Sequence, residues 1–111
     1  ATPRKGPLDP ALLARVVGRY ELTEGALARL KELGAPQDFL DDITFIELRP
    51  VASGIEMKPD GQDAVTLVPT EGGGFYDPAS DVGITFALPA AGPATGLVLS
   101  QGLLKVAYTR L

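Results

Sequence analysis

The chain has 111 residues, ten Lys and Arg against fourteen Asp and Glu, and no His, Cys or Trp. A net charge of −4 opposes binding to phosphate backbones or an anionic membrane surface. The missing cysteines exclude disulfides, thiol catalysis and thiolate metal sites. At this length, with 45% hydrophobic residues, one domain with a real core is expected, with no linker dividing it.

Residues 1–8 are rich in Pro, Lys, Arg and Gly and lack periodicity, so they read as a flexible tail; 9–111 read as one domain. Asp9 before Pro10 is a helix start, an N-cap followed by proline at the first helical position. Leu12, Leu13, Val16 and Val17 follow at helical spacing, and Gly18 ends that helix. Residues 19–22 (RYEL) then form a first strand. Thr23 caps the clearest helix, in which Ala26, Leu27, Leu30 and Leu33 share one face and Gly34 and Pro36 enforce the stop. Residues 36–42 (PQDFLDD) add another helical turn, with Phe39 and Leu40 turned inward. The helical insertion therefore covers about 23–42.

From Ile43 the period changes to two. ITFIEL is a strand in which the adjacent Phe45 and Ile46 imply burial on both faces or a bulge. Ile55 and Met57 lie on one side of the next strand, and Asp60-Gly61 is the strongest hairpin signal. Val65 and Leu67 alternate, Phe75 and Tyr76 form a short strand within a Gly-rich loop, and Ile84, Phe86 and Leu88 alternate. Residues 96–111 close the chain as a hairpin turning near Gln101-Gly102, with Leu104, Val106 and Tyr108 on one face. The sum is six or seven short strands and one or two helices near the N-terminus. The fold class is mainly β, α+β by content: a small antiparallel β-barrel or a strongly curled meander sheet.

Four segments in order, Val17-Gly18-Arg19-Tyr20, Leu67 through Tyr76, Ile84 to Phe86 with Gly96-Leu97, and Arg110-Leu111, carry a resemblance. The chain resembles the C-terminal lipocalin-like domain of uncharacterised function appended to serine beta-lactamase-related hydrolases. The resemblance implies a lipocalin-like barrel in a bacterial accessory domain. It does not carry the hydrolase activity over, because Ser53, Ser80 and Ser100 lack a lysine three residues on. The helical insertion departs from the family pattern, which runs from the opening strand directly into a hairpin.

No chemistry-bearing constellation stands out. A serine or threonine nucleophile needs a base, and no histidine is present; Lys58 and Lys105 lie in strands that read as exposed. Asp38, Asp41 and Asp42 cluster without the alternation of a calcium loop and read as a solvated helix end. The glycines of residues 71–75 (EGGGF) lack the Lys-Ser/Thr of a phosphate cradle. Arg19 and Arg110 flank the first and last strands, where ion pairs with Glu21 or Glu47 are expected.

The tyrosines Tyr20, Tyr76 and Tyr108 are the candidate ligand-binding residues, since a polar tip inside a barrel can orient a ligand, although core packing suits them too. The expected function is that of a non-catalytic β domain acting through protein–protein or domain–domain contact. The alternative is a small carrier holding an apolar ligand in a barrel lumen or groove. Expected partners are a protein or a second copy of the chain, or a small apolar ligand. No cofactor, metal, nucleic acid or membrane insertion is expected. A small residue at position 1 before a polar segment suggests an exported, periplasmic or secreted protein.

Overall fold

The computed structural model describes residues 4–111. Three helices and eight strands follow in the order α1 (Pro10–Val16), β1 (Gly18–Leu22), α2 (Glu24–Glu32), α3 (Gln37–Ile43), β2 (Phe45–Val51), β3 (Gly54–Pro59), β4 (Val65–Pro69), β5 (Phe75–Asp77), β6 (Val82–Ala87), β7 (Gly96–Gln101) and β8 (Leu104–Arg110). Each strand pairs antiparallel with the next, and β8 returns to β1, so the sheet is a closed barrel with no free edge. The closing register sets Tyr20 opposite Arg110 and Leu22 opposite Tyr108.

Local chemistry explains the elements. The Asp9 carboxylate accepts from the amide of Ala11 with Pro10 at the first helical position, and Thr23 Oγ1 accepts from Ala26 to start α2. Gly34, at φ 85°, ends α2 in a conformation that side chains disfavour. Two-residue hairpins join β2 to β3 at Ala52-Ser53 and β7 to β8 at Gly102-Leu103, the latter with Gly102 at φ 60°.

Alternation along the strands sends Tyr20, Leu22, Ile46, Leu48, Ile55, Met57, Leu67, Phe75, Val82, Ile84, Leu97, Val106 and Tyr108 inward, all buried. Eight strands enclose a space just wide enough for side chains to fill. The Phe75 and Phe86 rings meet edge-on inside, 6.1 Å apart at 80°.

Several expectations are corrected. The strand expected from Ile43 begins at Phe45, because α3 continues through Ile43. Phe45 and Ile46 need no bulge. Ile46 is fully buried inside, while Phe45 is half-buried on the outer face under the Arg19 guanidinium, 5.3 Å from the ring centre. Leu33 and Phe39, expected inward, are 62% and 39% exposed. Leu88 lies beyond β6 and is exposed.

Asp60-Gly61 does not make a two-residue turn; it opens the longer 60–64 connection. Gly61 is needed there for another reason: its amide donates to the Asp42 carbonyl (3.1 Å), and a Cβ would collide with Asp42. Of the expected tail, residues 1–3 lie outside the described residues. Residues 4–6 lie along Pro69–Glu71, with Gly6 donating to Pro69 (2.9 Å) and Arg4 accepting from Glu71 (2.9 Å).

Candidate functional site

The two ends of the barrel differ. At one end α1 acts as a plug. Val16 is fully buried, and the 88–95 connection is strapped across the helix by Arg15. Its guanidinium donates to the carbonyls of Gly92 and Pro89, and its backbone carbonyl accepts from the amide of Ala94. Tyr20 donates to the Val16 carbonyl at 2.7 Å. Arg110 turns inward beside it, donating to the Val17 carbonyl (2.8 Å) with its guanidinium 5.8 Å from the Tyr20 ring centre. Burial is the main influence on the Tyr20 hydroxyl and raises its pKa, while Arg110 pulls the other way. The ion pairs expected for the two arginines are therefore corrected. Arg19 pairs with Asp60 at 3.0 Å, Glu47 pairs with Arg49, and Arg110 is held by a carbonyl and a ring face.

The other end carries α2, α3, the 60–64 and 78–81 connections and the Gly102-Leu103 hairpin, as the strand register requires. Here the lumen opens into an apolar cavity of about 90 Å³. Its walls come from Leu30 of α2, Phe39 and Ile43 of α3, Met57 of β3, and Leu99 and Leu104 of the last hairpin. Gln62 and Tyr108 supply the polar groups at its edge. Tyr108 donates to the Ile43 carbonyl at 2.6 Å, tying β8 to the end of α3. Burial pushes its pKa well above the usual tyrosine value. Leu103 stands fully exposed beside the cavity, next in the chain to the lining residue Leu104.

The three tyrosines do not converge. Tyr20 belongs to the plugged end and Tyr108 to the open end. Tyr76 is on the outer wall, where it donates to Asp81 at 2.6 Å and lines a shallow groove with Gly83, Thr85 and Ser100. Of the candidates, only Tyr108 lies at the cavity. The residues that shape the mouth, Phe39, Leu99 and Leu104, read in the sequence as ordinary core. For Phe39 the sequence offers one signal, the acidic Asp38 before it, and acids likewise adjoin the lining residues Ile43, Gln62 and Val82; Leu99 and Leu104 carry no such mark.

The acidic cluster of α3 is dispersed. Asp41 accepts from Gln37 (2.8 Å) and Asp42 abuts Gly61. Among the described residues no group of three potential metal ligands converges. No described helix is long and apolar enough to cross a membrane. Compared with family models, with curated proteins and with solved structures, the chain finds no match.

Proposed function

We propose that this chain is a non-catalytic barrel that works by contact with another protein or domain, and that its working face is the open end bearing α2, α3 and the Gly102-Leu103 hairpin. The observation that carries this reading is the filled interior. Inward side chains of every strand are buried against one another, and the cavity they leave holds about 90 Å³. Sites for drug-sized ligands run to roughly 300–1,000 Å³. Two hollows of about 530 Å³ lie outside the lumen, an open, polar cleft over Lys58 and Asp60–Asp63 and a groove beside α2 over Leu22, Leu27, Thr44 and Thr109. The chain also lacks His and Cys, the commonest base and the strongest side-chain nucleophile.

The resemblance to hydrolase-appended accessory domains fits this reading. Three residues that carry it, Gly18, Tyr20 and Arg110, meet as one structural cluster where the barrel closes, and none faces the open end. An exported location for such an accessory barrel belongs to the same proposal.

Two observations favour the carrier reading: the mouth cavity is apolar, connects to the lumen and has the Tyr108 ring in its wall, and a groove of about 530 Å³ runs beside α2 over Leu22 and Leu27. Titration with dodecanol, observed through backbone amide NMR shifts, separates the two. Contact function predicts no shift at Leu67 or Ile84, deep in the packed lumen. Saturable shifts there would mean that the core opens to take a chain, and would overturn the proposal.

A further inference from the structure

Resting on the contact reading, we infer that the open end receives a basic peptide segment of a partner protein, with one bulky apolar side chain seated in the mouth and cationic side chains on the surrounding aspartates. Shape gives the first half. The cavity is apolar and about 90 Å³, room for roughly three water-sized volumes, which suits the end of a Leu, Met or Phe side chain. Leu103 and the exposed part of Phe39 extend the apolar surface outward from it. Exposed apolar surface around a pocket is the form an anchor site takes.

Charge gives the second half. In the segments that build this end, the acids and bases of α2 cancel, Glu24 and Glu32 against Arg29 and Lys31. The rest carry Asp38, Asp41, Asp42, Asp60, Asp63 and Asp81 and no base. Five of these aspartates, Asp38, Asp42, Asp60, Asp63 and Asp81, are chain neighbours of residues lining the cavity, against the bases Arg29, Lys31, Lys58 and Lys105. Against these six aspartates stand two cations at the rim, Arg19 and Lys58, which leave the end with an acidic excess. Arg19 is paired with Asp60, the Lys58 ammonium is held by the carbonyls of Pro59 and Gln62, and Lys105 is on the outer wall.

The segments at the plugged end carry Arg4, Lys5 and Arg15 against Asp9 and Glu71, so the chain's negative charge is concentrated around the mouth. An acidic ring around an apolar hole selects a cationic partner and rejects acidic ones. It also sets two copies of this end against each other by like-charge repulsion.

The test uses the whole chain and three synthetic peptides. One places a central Leu between Lys and Arg residues, one replaces that Leu by Ser, and one replaces every base by Glu. Amide NMR titration should show the first binding with shifts gathered on residues 38–43, 60–64 and 102–104. Losing the Leu should weaken binding at least about tenfold, and the Glu peptide should not bind. Raising salt to about 0.5 M should weaken the first peptide several-fold. The variant Asp38→Asn/Asp63→Asn should lose affinity, and Asp63→Asn alone, outside any helix, should lose part of it at unchanged stability.

Equal binding of all three peptides at this end would overturn the charge selection while leaving the contact reading intact. Binding of the basic peptide elsewhere on the barrel would overturn the inference outright. Concentration-dependent dimerisation through this end would overturn it in favour of a second copy. No peptide binding together with dodecanol filling the lumen would overturn both the inference and the contact reading.

Discussion

Gly18 and Arg110 are locked together across the seam of the barrel: a Cβ on Gly18 would sit 2.9–3.1 Å from the Arg110 guanidinium. Gly18 also has φ 142°, where side chains are strained. The space that glycine leaves is filled by the guanidinium that donates to the Val17 carbonyl and covers Tyr20. The opening strand is thus fastened to the closing strand by a cation that no described carboxylate pairs.

Both Gly18→Ala and Arg110→Ala should destabilise the barrel, the first by about 1–3 kcal/mol from backbone strain and crowding. The second should cost about 2–4 kcal/mol from the lost charged hydrogen bond and ring contact. The double variant should be less unstable than the sum, because the methyl added at position 18 no longer meets a guanidinium. Urea denaturation of the four proteins measures the coupling; strict additivity would show that the two residues act separately.

Tyr108→Phe should cost about 1–3 kcal/mol, since it leaves the Ile43 carbonyl without its buried donor. The damage should be local. Amide exchange should accelerate in the last turn of α3 and at Leu22, which donates to the neighbouring Thr44 carbonyl, while the β6–β7 ladder stays protected. Uniform loss of protection would mean that the end of α3 does not open separately from the barrel.

Acid should loosen the Arg19 link. The Arg19 hydrogen bond holds the Asp60 carboxyl below its usual pKa of 3.8. A lowered folded-state pKa gives stability that is present above 3.8 and lost as pH falls through the folded value. The Ser80 hydroxyl lowers Asp77 in the same direction. Asp60→Asn should flatten the fall in urea midpoint below about pH 4; an unchanged slope would show that the pair is not formed in solution.

Alkali acts with the opposite sign. Tyr20 and Tyr108 have pKa values raised above 10.0, mainly by burial. Their contribution is complete below 10.0 and is lost as pH climbs through the folded values. In Tyr76→Phe only these two tyrosines remain, so the phenolate absorbance should rise together with loss of β-sheet circular dichroism. Ionisation before unfolding would mean that the hydroxyls reach solvent in the native barrel.

Much of the fold is legible in the sequence because its signals are local. Asp9-Pro10 and Thr23 cap their helices, Gly34 stops α2, and the alternation of Ile55, Met57 and Leu67 faces the lumen as read. What eludes a local reading depends on closure. Arg110 faces inward only because β8 returns to β1, and the role of Gly61 exists only because α3 folds against the 60–64 connection. The mouth is hidden for the same reason. Phe39, Leu99 and Leu104 have core-like periodicity, and only the assembled end leaves them beside a cavity. The tyrosines are visible as a set, yet alternation sends Tyr76 outside and closure separates Tyr20 from Tyr108.

The central claim is that this barrel is filled by its own side chains and acts through its open end. Native mass spectrometry of protein purified from its own host, set against the denatured mass, tests it most directly. The predicted result is the bare chain mass, alone or in complex with another protein, with no small adduct. A non-covalent adduct of a few hundred daltons released on denaturation, roughly the size a lumen site would hold, would contradict it and make the barrel a carrier.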